Sequence, residues 1–145
     1  MRGLIQRVQH AQVVVDNYVV GQIDSGLLLF LGIEKQDSQA AADKLLEKIV
    51  KYRVFSDAAG KMNLGLKDAG GGLLIVSQFT LVADTRKGLR PSFSSGASPE
   101  QGEQLYNYFV SRAKALHSDV ATGRFGADMK VSLLNDGPVT FMLEV

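Results

Sequence analysis

The stretch SGLLLFLGI (Ser25–Ile33) is apolar at almost every position. A strand with one wet face alternates apolar and polar side chains, so this unbroken run predicts a strand buried on both faces. Upstream, Val13 to Val15 and Val19 to Val20 flank Asp16-Asn17, two residues that tolerate turn conformations, which predicts a β-hairpin over residues 13–23. Downstream the period changes. Ala42, Leu45, Leu46, Ile49, Val50 and Arg53 recur three or four apart within residues 38–55, the pattern of an amphipathic helix capped by Asp37 or Ser38. Glu47 and Lys51 add an i,i+4 pair on its outer face.

Residues 56–72, SDAAGKMNLGLKDAGGG, are polar and glycine-rich and predict a long irregular loop. Neither glycine cluster is a nucleotide motif. Met62 follows Gly60-Lys61 where a P-loop needs Ser or Thr, and Gly70-Gly71-Gly72 precedes a strand instead of joining a strand to a helix. LLIVSQFTLVA (Leu73–Ala83) is the most β-like run in the chain and predicts a core strand. A basic loop, DTRKGLRPSFSSGAS (Asp84–Ser98), leads to a second helix in which Ser98 caps, Pro99 takes the first turn and Gln101 completes a capping box. It is expected to run to about His117 with Leu105, Tyr108, Phe109, Ala113 and Leu116 on one face.

The tail returns to strands, VATGRFGADMKVSLL (Val120–Leu134) and VTFMLEV (Val139–Val145), separated by Asn135-Asp136-Gly137-Pro138. Asp-Gly between apolar runs signals a tight turn, yet Pro138 removes an N–H from the strand that follows. Strand-rich ends around two helices predict a single mixed α/β domain over residues 1–145, with a curved, barrel-like, mainly antiparallel sheet and two main packing helices.

Composition narrows the function classes. The 145 residues are 46% hydrophobic and 21% charged, which fits one globular domain with a core. A net charge of +1 creates no global field that by itself implies nucleic acid. Cys is absent, so disulfides, thiolate metal sites and a Cys nucleophile are excluded, and a reducing compartment is suited. The opening MRGLIQRVQH lacks the apolar region of a secretory signal, and no run approaches the ~20 apolar residues of a membrane span. A cytoplasmic protein with no membrane partner is the expectation.

Conventional carriers of chemistry are few. His10 sits in a strand-like segment and His117 at a helix end, where the dipole favours it. No compact ligand cluster or GxSxG elbow occurs, so neither a metal, a cofactor nor a Ser-His-Asp centre is expected. What stands out is polarity in the wrong place. Ser77, Gln78 and Thr80 interrupt a core-like strand, and each polar group left unpaired there would cost ~1–3 kcal/mol. Bonds to neighbouring backbone, one wet face, or a functional role all account for them. Arg86, Lys87 and Arg90 near Phe93 place cations beside an aromatic, a combination that meets phosphates and a base, though short basic loops are ordinarily solvated surface.

Taken in order, SQFTL (Ser77–Leu81), GLRPSF (Gly88–Phe93), TGRFGADM (Thr122–Met129) and NDGPVT (Asn135–Thr140) resemble the D-aminoacyl-tRNA deacylases of the widespread bacterial and eukaryotic type, over essentially the whole chain. The resemblance implies a homodimer that hydrolyses the ester joining a D-amino acid, or glycine, to the terminal ribose of tRNA and spares L-aminoacyl-tRNA. It assigns Ser77, Gln78, Phe79 and Thr80 to the pocket floor, with backbone N–H groups and the Thr80 hydroxyl near the ester. It also assigns Gly137 and Pro138, as a Gly-cis-Pro pair reaching into the partner's pocket, to chiral selection. An aminoacyl ester is already activated, so positioning water and stabilising the oxyanion can suffice, with help from the neighbouring ribose hydroxyl. Arg86, Lys87 and Arg90 are then expected at the 3′ acceptor end. Two rivals stand beside this reading: attack by Thr80 or Ser77 through an acyl-enzyme, and an RNA-binding module without chemistry.

Overall fold

The computed structural model describes residues 1–145. Its frame is β1 (Arg2–Val15), a strand paired along both edges. Asp16 and Asn17 reverse the chain with φ of 49° and 68°, the left-handed pair of a primed hairpin turn, and β2 (Tyr18–Ile23) returns along β1 as expected. β3 (Gly26–Gly32) continues on the same edge, so that Ala11 to Val15 pair with β2 and Arg2 to Val8 with β3. The opposite edge belongs to β8 (Lys130–Glu144), paired antiparallel from Val14 back to Arg2. Beyond β3 lie β6 (Gly72–Ser77) and β7 (Val120–Thr122), each parallel to its neighbour. The sheet curls until β2 meets β7, where a Cβ on Gly21 would collide with the Thr122 carbonyl oxygen. Glycine is what lets the curl nearly close.

The doubly buried strand is β3, joined in this by β6. Leu27, Leu29, Leu31, Leu73 and Ile75 face α1 (Gln39–Lys51) and α3 (Pro99–Leu116), packing with Leu45, Ile49, Leu105 and Phe109. Leu28, Leu74 and Val76 point the other way, into the curl, against Val8, Val13 and Ile23. Each such side chain contributes ~1.5–3 kcal/mol of burial, which is why an unbroken apolar run tolerates no single wet face here.

Several boundaries differ from the sequence reading. The first helix keeps its Ser38 cap but stops at Lys51 instead of residue 55, leaving Arg53 outside it. The supposed irregular loop 56–72 contains β5 (Met62–Leu64), paired with β4 (Phe55–Ser56), and α2 (Leu66–Ala69). The Asp57 carboxylate organises it by accepting from Ala59 N, Lys61 N and Asn63 Nδ2, and buried Leu66 anchors α2. In α3, Ser98 caps through Gln101 N, but the Gln101 amide reaches across to Lys35 O at 2.7 Å, so no capping box closes. The helix buries Tyr106 in the core and leaves Tyr108 half-buried against its margin, and Leu116 is exposed.

Two corrections matter for function. Leu73–Ala83 is not one strand: β6 ends at Ser77 because β3, its partner, runs out at Gly32, and Phe79–Val82 wind into a 3-10 turn. Residues 135–138 are not a hairpin. Both flanking segments pair with β1, Lys130–Asn135 opposite Val14–Val8 and Thr140–Glu144 opposite Gln6–Arg2, so Asn135-Asp136-Gly137-Pro138 is a bulge within one strand.

The Tyr106 hydroxyl donates to Ile75 O at 3.0 Å, tying α3 to β6, and burial pushes its pKa up to about 12. A phenol ionises near 10 once unfolded, so the folded state holds this proton more tightly. Ionising it in the fold costs about 2–3 kcal/mol more than in the unfolded chain, so this group leaves stability untouched below pH ~10 and lowers it as pH rises toward 12. Tyr106→Phe is therefore expected to cost ~1 kcal/mol at pH 8 and to flatten the alkaline loss of stability. Urea unfolding at pH 8 and 11.5 checks this; parallel losses in both proteins would refute the assignment.

Candidate active site

Where β6 stops, a cavity of about 490 Å³ opens between the ends of β3 and β6, the first turn of α3 and residues 125–131. Ser77, Gln78 and Phe79 line it together with Pro99, Gly102, Phe125 and Met129. Strand geometry ends here in a definite way. Gln78 N makes the last sheet-like bond, to Leu31 O at 2.8 Å, after which Leu81 N turns back to Gln78 O. The first N–H groups of such a turn have no acceptor inside it, so the amides of Phe79 and Thr80 are donors without a partner in the turn.

The polar side chains that interrupt the apolar run sit at this edge. Gln78 Nε2 donates to Thr80 Oγ1 at 2.5 Å, which leaves the Thr80 hydroxyl proton to point elsewhere. No imidazole or carboxylate hydrogen-bonds to Thr80 or Ser77, so neither hydroxyl has a base beside it. His117 is committed at the far end of α3, its Nε2 at 2.6 Å from Gly71 O, and His10 is exposed on β1. The arrangement offers fixed amide dipoles rather than an activated nucleophile. Thr80 itself is exposed beside the cavity without lining it.

The basic loop folds back over the same edge. Phe93 packs on Phe79 with ring centroids 5.2 Å apart, and Asp84 and Ser92 bridge as a short antiparallel pair. Arg86 is less free than its sequence position implies: its Nε and one terminal NH2 donate to Asp84 at 2.9 and 2.7 Å, and this fork holds the Asp84 carboxyl well below the usual range. Lys87 and Arg90 are exposed.

Gly137 and Pro138 lie elsewhere. Their peptide bond is cis, and Gly137 adopts φ 142°, where a Cβ would press on Val139 Cγ2 at 2.7 Å. Asn135 closes the bulge, its Oδ1 accepting from Val139 N at 2.8 Å and its amide reaching Thr140 Oγ1. Arg7 braces it from β1, donating to Asp136 O at 2.9 Å and to Val54 O at 2.7 Å. Both Gly137 and Pro138 are exposed and neither lines the cavity of its own chain. A single protomer thus brings Ser77, Gln78, Phe79 and Thr80 together and keeps the bulge apart from them. Arg7 and the cavity walls Pro99, Gly102, Phe125 and Met129 were not assigned from sequence; the TGRFGADM match marked two of these, while nothing local marks Arg7.

A family model described as D-Tyr-tRNA(Tyr) deacylase matches residues 4–144. The chain belongs to that family. A protein of Stutzerimonas stutzeri (strain A1501) named D-aminoacyl-tRNA deacylase is 65% identical over 99% of both chains. The solved structure of the c-Myc DNA Unwinding Element Binding Protein superimposes with a TM-score of 0.95 at 36% identity, covering 100% of this chain and 99% of the other. A more distant structure, a "probable eukaryotic D-amino acid tRNA deacylase", matches with a TM-score of 0.87 at 17% identity over 99% of this chain and 98% of its own, which speaks for the fold alone. Family membership therefore covers the cavity, the basic loop and the bulge in one alignment, as the four sequence motifs implied.

Proposed function

We propose that this chain hydrolyses the ester of D-aminoacyl-tRNA, and of tRNA carrying glycine, releasing the amino acid and intact tRNA, and that it rejects L-aminoacyl-tRNA. The observation that carries the mechanism is the pair of amide donors at Phe79 and Thr80 at a cavity edge where no base bonds to the Thr80 or Ser77 hydroxyl; the one carboxylate lining the cavity, Asp128, pairs with Lys130 at 3.2 Å. Water adds to the ester carbonyl, the amides and the Thr80 hydroxyl stabilise the oxyanion, and collapse expels the ribose oxygen, which takes a proton. The adjacent ribose hydroxyl assists, which suits a site that supplies dipoles and position rather than a nucleophile. A threonine or serine nucleophile is the weaker reading because neither hydroxyl has a base to take its proton.

Selection is assigned to Gly137 and Pro138 of a second copy. They project from β8, exposed and outside their own cavity, and Leu134 and Met142 on the same strand add exposed apolar surface for a homodimer contact. Backbone placed in the partner's cavity excludes a side chain on the wrong face of the α-carbon by steric overlap, and cannot exclude glycine. Lys87 and Arg90, with Arg86 at their side, receive the 3′ acceptor end at the cavity mouth, in the cytoplasm where charged tRNA is found.

Purified protein incubated with D-tyrosyl-tRNA and L-tyrosyl-tRNA should release only the D-amino acid; inertness toward both defeats the proposal. Thr80→Ala should slow turnover by about tenfold, the worth of one hydrogen bond, without abolishing it. An acyl group trapped on Thr80 or Ser77 and seen by mass spectrometry would replace this mechanism with the nucleophilic one. Lys87→Ala with Arg90→Ala should raise KM and lower its salt dependence by about two phosphate contacts, leaving kcat unchanged.

A further inference from the structure

A second concave surface lies away from the cavity. A cleft of about 620 Å³ runs between α1 and the end of β8, with Lys44, Lys48, Lys51 and Arg53 on its walls and Tyr52 and Phe141 within it. The three lysines are four and three residues apart, so they follow one stripe of the helix over about 10 Å of its axis. Lys51 pairs with Glu47 at 2.6 Å, the only carboxylate lining the cleft; Lys44 and Arg53 have no ion-pair partner. Four cations against one carboxylate is a strong local excess in a chain whose net charge is +1. The Tyr52 and Phe141 rings sit 5.7 Å apart between these cations. A plain solvated helix face has no such aromatic floor.

The cleft also has a place relative to the bulge. Phe141 follows Pro138 on β8, and buried Val54, which lines the cleft, accepts through its carbonyl from the same Arg7 that braces Asp136. We infer that this cleft binds the sugar-phosphate backbone of the tRNA stem, with Lys44, Lys48, Lys51 and Arg53 on phosphates and the Tyr52–Phe141 pair against ribose. The inference rests on the tRNA reading above. In the dimer proposed above the bulge of one copy enters its partner's cavity, and a cleft joined to that bulge through Arg7 and Val54 is carried toward the bound 3′ end. The loop at Lys87 and Arg90 then holds the acceptor end and the cleft holds the helical part. Cations at phosphates give affinity without sequence preference, which suits an enzyme acting on many tRNAs.

The test uses the full chain carrying Lys44→Gln, Lys48→Gln and Lys51→Gln together. Binding of deacylated tRNA is measured by fluorescence anisotropy across a salt series, so the readout does not depend on hydrolysis. Binding of a non-hydrolysable D-aminoacyl-adenosine amide, which has no stem, is measured beside it, and the oligomeric state by light scattering. The expected result is roughly tenfold weaker tRNA binding with a salt slope shallower by about two to three, and unchanged adenosine-amide binding. An unchanged slope overturns the inference, as does equal weakening toward both ligands or an altered oligomeric state, which would assign these charges to folding or subunit contact. A wild-type protein that leaves D-aminoacyl-tRNA intact while keeping the lysine-dependent slope would sink the proposed activity and support the cleft.

Discussion

The pairing of β1 along both of its edges is the constraint on which the rest of this structure depends. One edge receives β3 and then β2, which makes the sheet curl; the other receives the whole of β8. Because β3 stands on β1 and β6 stands on β3, the position at which β6 loses its partner is inherited from the N-terminal strand. The cavity opens there. Because β8 follows β1 for nearly its full length, any extra residues in β8 must leave the ladder, and they do so at Asn135–Pro138.

In the proposed mechanism, catalytic capacity comes from interruption of regular structure. A strand satisfies its N–H groups with a neighbour, and a helix does so internally after its first turn. The passage from β6 into the 3-10 turn does neither at Phe79 and Thr80, which leaves amide donors at a cavity edge. Such dipoles are already oriented and need no proton of their own to be moved, which is why the proposed mechanism gives them, and not a histidine or metal, the work on an activated ester. Gln78 holds the Thr80 hydroxyl oxygen beside them.

The bulge shows the same economy of means. Asn135 replaces the missing ladder bonds with its side-chain amide, accepting from Val139 N, and Arg7 fixes the Asp136 carbonyl from the neighbouring strand. Backbone held in this way is stiff without being part of a core. The exposure of Gly137 and Pro138 then fits a role in another molecule's cavity better than a role in their own.

Local sequence determined the elements whose causes are local. The unbroken run Leu27–Leu31 made a doubly buried strand, Asp16-Asn17 made a hairpin, Ser38 and Ser98 capped helices, and the motif order marked the family. Each depends on residues within a turn or a strand of one another. Tertiary structure decided where Leu73–Ala83 stops being a strand, because that depends on where β3 ends, at Gly32, far earlier in the chain. It decided that Asn135–Pro138 is a bulge and not a turn, because only β1 can pair with both flanks at once. It also decided that Arg86 is held by Asp84, that Arg7 braces the bulge, and that the α1 lysines border a cleft with Phe141. Those facts rest on distances between segments far apart in the chain, and periodicity carries no information about them.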